Sequence, residues 1–316
     1  AAAVASMSFL DAALAEGGGK PRVRDNRIDS GLKALARMYN AEKKNRLKNQ
    51  YLAYSIERAG VLTGTRYLGD TDWYRDLVNV MLPLQEPEGN FHDYPTATAN
   101  GGTAKAFSTG FVLLFLGKGL APTVVGKLDW GPPGRATPYD MHNLIAALSR
   151  EMGHHLNWTQ LPIEADFEEY RRVPLIYVTG IDDPYSRLIK HREKIVKYLN
   201  SGGTILGAGA DEEGEFEKGY RRFIEEIQPE SEFVELSRDH EIYERWHDIR
   251  RTYGLEATLS DKGKRPVALV VTKPFALPLS SRRGRGEKQA TELGVNIIVS
   301  LTQIDKRKSF LEGVFE

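Results

Sequence analysis

The segment Val173 to Phe216, VPLIYVTGIDDPYSRLIKHREKIVKYLNSGGTILGAGADEEGEF, constrains the fold more than any other part of the chain, because it reads as one complete strand–helix–strand unit. Leu175-Ile176-Tyr177-Val178 is a short apolar run of the kind needed by a parallel strand covered on both faces. Asp183 followed by Pro184 suits an N-cap and first helical position: the carboxylate accepts from free N–H groups, and proline has none to leave unpaired. Leu188, Ile195, Val196 and Leu199 then fall on one helical face, with Lys190, Arg192, Lys194 and Lys197 on the remainder. Gly202 closes the helix and Thr204-Ile205-Leu206 resumes as a strand. A crossover of this length joins parallel strands with right-handed connectivity and predicts an α/β layer structure.

The pattern continues downstream. Phe216, Tyr220, Phe223, Ile224 and Ile227 predict a second amphipathic helix ended by Pro229, Phe233 to Leu236 a third strand, and Val267 to Val271 a further one. Leu293 to Ile304 fits both periods, and its Leu293, Ile297, Leu301 and Ile304 spacing is read as a closing helix.

Composition narrows the function classes. With 316 residues, 41% hydrophobic and 27% charged, the chain has room for two ordinary cores. Lys plus Arg equals Asp plus Glu at 43 each, so no net field draws the molecule to nucleic acid or an anionic membrane. The basic run Arg282-Arg283-Gly284-Arg285-Gly286-Glu287-Lys288 reads as a solvated loop or a phosphate contact. No apolar stretch approaches the roughly 20 residues of a membrane span; Phe111 to Leu116 is the best of them. Cysteine is absent, which removes disulfides, thiolate metal sites and a cysteine nucleophile together.

The first part of the chain has a different character. Ala3 to Leu14 aligns with Thr109 to Leu120, pairing Phe9-Leu10 with Phe115-Leu116, and Tyr51 to Gly64 has a comparable helical role. A second helix type alternates with these, carrying Ile28, Leu32 and Leu35 in one copy and Trp73, Leu77, Val80, Met81 and Leu84 in the next. One helix pair per about 45–50 residues is the spacing of helical repeat arrays. Each pair buries its apolar face against the next, so the sequence is expected to be entered part-way through a larger repeat array.

Asp70 to Phe91, DTDWYRDLVNVMLPLQEPEGNF, with the following AFSTGFVLLFL, resembles the terminal repeats of the α/α toroid of squalene–hopene cyclases and protein prenyltransferases; Gln85, Gly89 and Phe91 match the hairpin end of those repeats. The resemblance implies a partial toroid over residues 1–130. The cyclases' acid motif is missing, and Asp70-Thr71-Asp72 instead suits the cap of a helix beginning at Trp73. Further on, PYDMHNLIAALSREMGHHLNW, VPLIYVTG, LNSGGTILGAGAD, FEKGYRRFIEEIQPE, RDHEIY and ELGVNII occur in the order of the bacterial domain-of-unknown-function family 4159, which the chain resembles from about Pro138 to Ile298. That resemblance implies a flavodoxin-like or class I glutamine amidotransferase-like α/β domain and a bacterial, often envelope-associated, setting.

In open parallel sheets ligands collect outside the carboxyl ends of the strands. That logic groups Gly180, Asp182 and Asp183 after one strand with Asp211 and Glu212 after the next, as a polar pocket or carboxylate cation site, or as a helix cap with solvated loops. Gly207-Ala208-Gly209 is similar to a dinucleotide fingerprint but lacks its third glycine and runs into Asp211-Glu212-Glu213, which would repel a pyrophosphate. His240, Glu244 and His247 would share a face as zinc ligands if helical; the family resemblance implies a loop, with His240 at a pocket edge. His154 and His155 precede a strand, where adjacent side chains diverge. No G-x-S-x-G string offers a serine nucleophile, and Thr179 and Ser186 have no assigned base.

The reading is an α plus α/β protein: a helical-repeat, toroid-like segment over 1–130, joined through Pro132-Pro133 to a flavodoxin-like three-layer α/β domain with a mainly parallel sheet over 131–316. It favours binding or assembly over catalysis. Asp182, Asp183, Asp211, Glu212 and His240 are the expected ligand-binding residues, with no resident metal or cofactor and no catalytic residue assigned. A protein partner and a small molecule are the expected partners, without nucleic acid. The bacterial envelope or periplasm is the expected compartment, with the cytoplasm as alternative. The rival readings are a hydrolase using Asp182, Asp211 and His240, and isoprenoid binding in the toroid.

Overall fold

A computed structural model describes residues 1–15, 24–41, 49–91, 101–119, 121–249, 253–260, 265–281, 286–302 and 304. The chain forms two compact units, Ala1–Ala12 with Asp25–Pro122 and Ala13–Arg24 with Thr123–Glu316. The expected boundary at 130/131 is therefore corrected to 122/123. The correction arises from a strand that hydrophobic periodicity overlooks: in Thr123-Val-Val-Gly-Lys-Leu-Asp129 a glycine and a lysine interrupt the apolar run, yet the segment is a buried strand. Pro132 and Pro133, the expected linker, open a short 3-10 turn inside the second unit.

The first unit contains helices α1 (Ala2–Ala15), α2 (Asn26–Ala41) and α3 (Gln50–Thr63), the two-residue strands β1 (Tyr67–Leu68) and β2 (Thr71–Asp72), and helices α4 (Trp73–Met81) and α5 (Gly101–Gly119). Helices overlap the segments that the repeat pattern marks, but α5 begins at Gly101, upstream of Thr109, and α4 ends at Met81, with Leu82–Leu84 forming a 3-10 turn. Asp72 caps α4 by accepting from the Arg75 N–H at 3.2 Å. Leu35, Ile56, Trp73, Leu77, Met81, Val112 and Phe115 share one core. The Gln85 side-chain amide donates to the Gly89 carbonyl at 3.1 Å and Gln85 pairs with Phe91, closing the turn on which the toroid resemblance rests.

The second unit runs β3 (Thr123–Asp129), α6 (Asp140–Met152), β4 (Asn157–Pro162), α7 (Phe167–Arg171), β5 (Leu175–Gly180), α8 (Tyr185–Leu188), α9 (Arg192–Asn200), β6 (Thr204–Gly209), α10 (Glu215–Ile227), β7 (Val234–Glu235), β8 (Leu255–Leu259), β9 (Pro266–Val271), α11 (Ala276–Ser281) and α12 (Glu287–Thr302). Its seven-stranded sheet has the order β4-β3-β5-β6-β9-β8-β7. The first five strands in that order are parallel, and β8 and β7 extend one edge in antiparallel fashion. Alternation along each strand feeds two cores. Val125, Tyr177, Leu206, Leu269 and Val271 pack with Leu144 and Leu148 of α6, Leu279 of α11, and Leu293 and Ile297 of α12. Leu128, Ile176, Val178, Ile205 and Val270 pack with Tyr170 of α7, Ile195 and Tyr198 of α9, and Phe216, Tyr220 and Phe223 of α10. Full burial of β5 and β6 explains their unbroken apolar sequence.

Three local expectations are refined. The helix read from 184 to 200 is two helices separated by a 3-10 turn at Ile189–His191, with Val196 half-buried and Tyr198 buried. Phe233 to Leu236 yields only the exposed edge strand β7, and Pro229 and the charged neighbours leave too little apolar sequence for more. The glycines of the supposed fingerprint lie within β6, where a Cβ on Gly207 would stand 2.6 Å from the Tyr220 ring, so Gly207 admits a core aromatic instead of a phosphate. The Leu293 segment is helical, as read. Arg282 to Arg285 lie outside the described residues.

Candidate functional site

The parallel strands β5 and β6 end side by side, with Gly180 opposite Gly209 and the Ala210 N–H donating to the Gly180 carbonyl at 2.9 Å. The loops after them therefore emerge at one sheet edge, and Asp182 and Glu212 are exposed there. Asp183 is committed to structure: Oδ1 accepts from the Tyr185 N–H at 2.8 Å and Oδ2 from Arg222 at 2.8 Å. Asp211 divides its roles. Its Oδ2 accepts from the Glu215 and Phe216 N–H groups at 2.6 and 3.4 Å, capping α10, whereas Oδ1 is buried without a hydrogen-bond partner.

His240 follows the edge strand β7, which stands three strands beyond β6, a lateral separation of about 14 Å. Its Nδ1 accepts from the Ile242 N–H at 3.2 Å and so caps a 3-10 turn. No hydrogen bond or ion pair joins any two of Asp182, Asp211 and His240 among the described residues. His240, Glu244 and His247 are not on one helix, and the described residues contain no cluster of three histidine or carboxylate groups placed to hold a metal ion. His247 instead lies 3.0 Å from Glu151, whose carboxylate also accepts from the Trp246 indole at 2.8 Å.

A second polar cluster occupies the point where the chain switches sides of the sheet. After β3 the chain crosses to the face covered by α6, whereas after β5 it crosses to the face covered by α9, so β3 and β5 diverge at their carboxyl ends. Such switch points form the ligand crevices of open sheets. Here Trp130 fills the crevice: it is 2% exposed, and its indole donates to the Thr179 carbonyl at 2.8 Å. The indole lies so close to Gly180 that a Cβ there would meet the ring at 2.3 Å.

Behind Trp130 on the α6 side, Lys127 of β3 donates to Asp140 at 2.5 Å and to the Thr137 carbonyl. Asp140, at the start of α6, also accepts from the Met141 N–H at 2.7 Å and from the Thr137 hydroxyl at 2.8 Å. Burial lowers the Lys127 pKa, with the Asp140 charge opposing that shift. Tyr177, register partner of Lys127, is pushed well above the ordinary tyrosine value by burial, and the Asp140 charge adds to the effect. The Tyr177 and Thr179 hydroxyls are both fully buried, close to each other, with the Tyr177 hydroxyl beside the Asp140 carboxylate. Sequence reading missed Lys127, Trp130, Thr137, Asp140 and Tyr177 in this role. The one available signal was a lysine inside the apolar run VVGKLDW.

The fold is a doubly covered, mainly parallel α/β domain with polar loops at its strand ends, preceded by a helical unit. Residues 126–300 match the family model "Domain of unknown function (DUF4159)". The chain belongs to that family. No curated protein matches the sequence. No helix among the described residues is long and apolar enough to cross a membrane.

Proposed function

We propose that this protein is a non-catalytic binding or assembly protein whose α/β domain takes a small polar ligand at the carboxyl ends of β5 and β6. One observation carries the reading: Asp211 Oδ1, in the loop after β6 where β5 and β6 end side by side, is a buried carboxylate oxygen without a hydrogen-bond partner. Buried polar atoms are almost always hydrogen-bonded in native proteins, and leaving one unpaired costs about 1–3 kcal/mol. A ligand bearing hydroxyl or amine groups would supply the missing bond, with Asp182 and Glu212 at the exposed rim.

The strand order, with α6 and α12 on one face and α7, α9 and α10 on the other, supports a flavodoxin-like arrangement. The helical unit is proposed as a toroid-like repeat segment that supplies the assembly surface, since α5 leaves Phe107, Leu113 and Leu114 exposed. An envelope setting in a bacterium is proposed on family resemblance alone. The hydrolase alternative needs Asp182, Asp211 and His240 to act together, and no interaction links them.

The test is a thermal-unfolding screen of the full chain against polyols, amino sugars, nucleotides and divalent cations, repeated with Asp211→Asn. A ligand at 100 times its dissociation constant stabilises by about 2.7 kcal/mol. A shift that Asp211→Asn abolishes supports the strand-end site; a shift that survives unchanged in the variant refutes it.

A further inference from the structure

We propose that Arg187 is the anion-recognising residue of the strand-end site, so that the ligand ends in one oxyanion, a carboxylate or a phosphate, seated at the switch point between β3 and β5. The inference deepens the reading that a small polar ligand meets this domain at the strand carboxyl ends, and rests on it. It names a group on the ligand that Asp211, itself a carboxylate, cannot hold.

The chain leaves β3 toward the face covered by α6 and leaves β5 toward the face covered by α9, so the loops 130–139 and 181–184 are the two walls of the crevice. Arg187, on α8 directly after the second loop, reaches across to the first. Its Nη1, Cζ and Nε atoms would stand 3.3, 3.4 and 3.7 Å from a Cβ built on Gly131. Near-equal distances from one point mean that the guanidinium lies face-on over this glycine. Its N–H donors lie in the plane of the group and are therefore directed away from the main chain beneath it. Gly131 has φ 120°, a conformation that favours glycine, so the seat of the guanidinium is kept free of a side chain. Trp130, 2% exposed, is the floor below.

The charges at the mouth select an anion. Arg135, the other cation of the first loop, is already neutralised, with Nε and Nη2 donating to the two Asp129 oxygens at 2.8 and 2.6 Å. Asp183 is taken by Arg222 at 2.8 Å. Arg187 is exposed and has no hydrogen bond or ion pair with any described residue, Asp182 of the neighbouring loop included. A guanidinium laid flat on the main chain with its donors unengaged is a fixed fork that matches two oxygens of a carboxylate or phosphate. Its ordering precedes binding, which favours affinity. Asp182 and Glu212, exposed along the same edge, accept from hydroxyl or amine groups and repel a second anionic end. The ligand class is therefore a hydroxyl- or amine-bearing body with a single oxyanion.

The experiment titrates the full chain with inorganic phosphate and, separately, with acetate, following thermal unfolding at an ionic strength held constant with chloride. Expected is a saturable rise in melting temperature with at least one of them, which names the oxyanion. Arg187→Gln should raise the dissociation constant about tenfold or more, since it removes hydrogen bonds between charged groups. Arg187→Lys keeps the charge without the fork and should restore only part of the affinity; full restoration overturns recognition by the fork. No saturable rise with either anion, or one that Arg187→Gln leaves unchanged, overturns the proposal. Asp211→Asn separates this inference from the reading beneath it, because that variant should keep the anion affinity while losing the shift produced by polyols or amino sugars. Loss of the anion effect alone therefore removes Arg187 from the site and leaves the Asp211 reading standing.

Discussion

Alkaline pH should unfold the α/β domain through four buried tyrosines. Tyr170, Tyr177, Tyr198 and Tyr220 are each no more than 1% exposed. Three donate to backbone carbonyls beside the sheet: Tyr170 to Ile163 at 3.0 Å, Tyr198 to Val173 at 3.0 Å and Tyr220 to Ile205 at 3.3 Å. Burial raises all four above the ordinary value of 10.0. A phenolate in these positions would lose its hydration and could no longer donate. Because the folded values exceed the unfolded ones, the folded chain holds more protons above pH 10, and stability falls as pH rises through that window. At about pH 11 each such tyrosine removes about 1.4 kcal/mol, and the four together about 6. That is comparable to the whole stability of an ordinary domain, about 5–15 kcal/mol. Lys127 acts in the opposite sense, since its folded pKa is lowered and the unfolded chain binds the extra proton, but it offsets at most one of the four. The assay follows phenolate absorbance and far-ultraviolet circular dichroism together during a pH titration. Expected is a cooperative rise in absorbance coincident with loss of helix signal, and Tyr198→Phe should flatten the descent by about a quarter. Ionisation of all the tyrosines near pH 10 with the helix signal intact would refute the reasoning.

Other perturbations test other parts of the structure. Asp140→Asn strands the Lys127 ammonium in the core, and denaturant titration should show a loss of about 3–5 kcal/mol, against which Lys127→Met combined with Asp140→Leu should recover much of the deficit. Gly180→Ala places a methyl group 2.3 Å from the Trp130 ring; a loss of about 1–3 kcal/mol should accompany a change in tryptophan fluorescence, and a silent spectrum would show that Trp130 does not rest there. Asp211→Ala removes the cap of α10 and should cost about 1 kcal/mol even without ligand, whereas Asp211→Asn should keep most of that stability. Asp182→Ala, on an exposed rim residue, should leave the melting temperature within experimental error.

What the sequence determined by itself is whatever neighbours along the chain decide. The unit from Leu175 to Gly209 is legible because unbroken apolar runs mark doubly covered strands, and Lys and Arg at helical spacing mark the exposed face of the helix between them. The cap at Asp72 and the turn at Asp183, one residue before the N-cap Pro184 of α8, are legible because a carboxylate bonds to N–H groups two or three residues away. Tertiary structure decided what depends on distant partners. β3 looks unlike a strand because Lys127 interrupts it, and only the Asp140 carboxylate, thirteen residues on, makes burial of that ammonium tolerable. The strand order β4-β3-β5 leaves no local trace, yet it creates the switch point that Trp130 covers. Topology brought the loops of Asp182 and Asp211 to one edge, as the strand–helix–strand reading implied, but tied Asp183 to the Tyr185 N–H and Arg222 and left His240 beside a distant edge strand. The Asp211 oxygen that defines the candidate site is recognisable only once the structure has closed around it, because an unpaired oxygen is a property of its surroundings and not of its residue type.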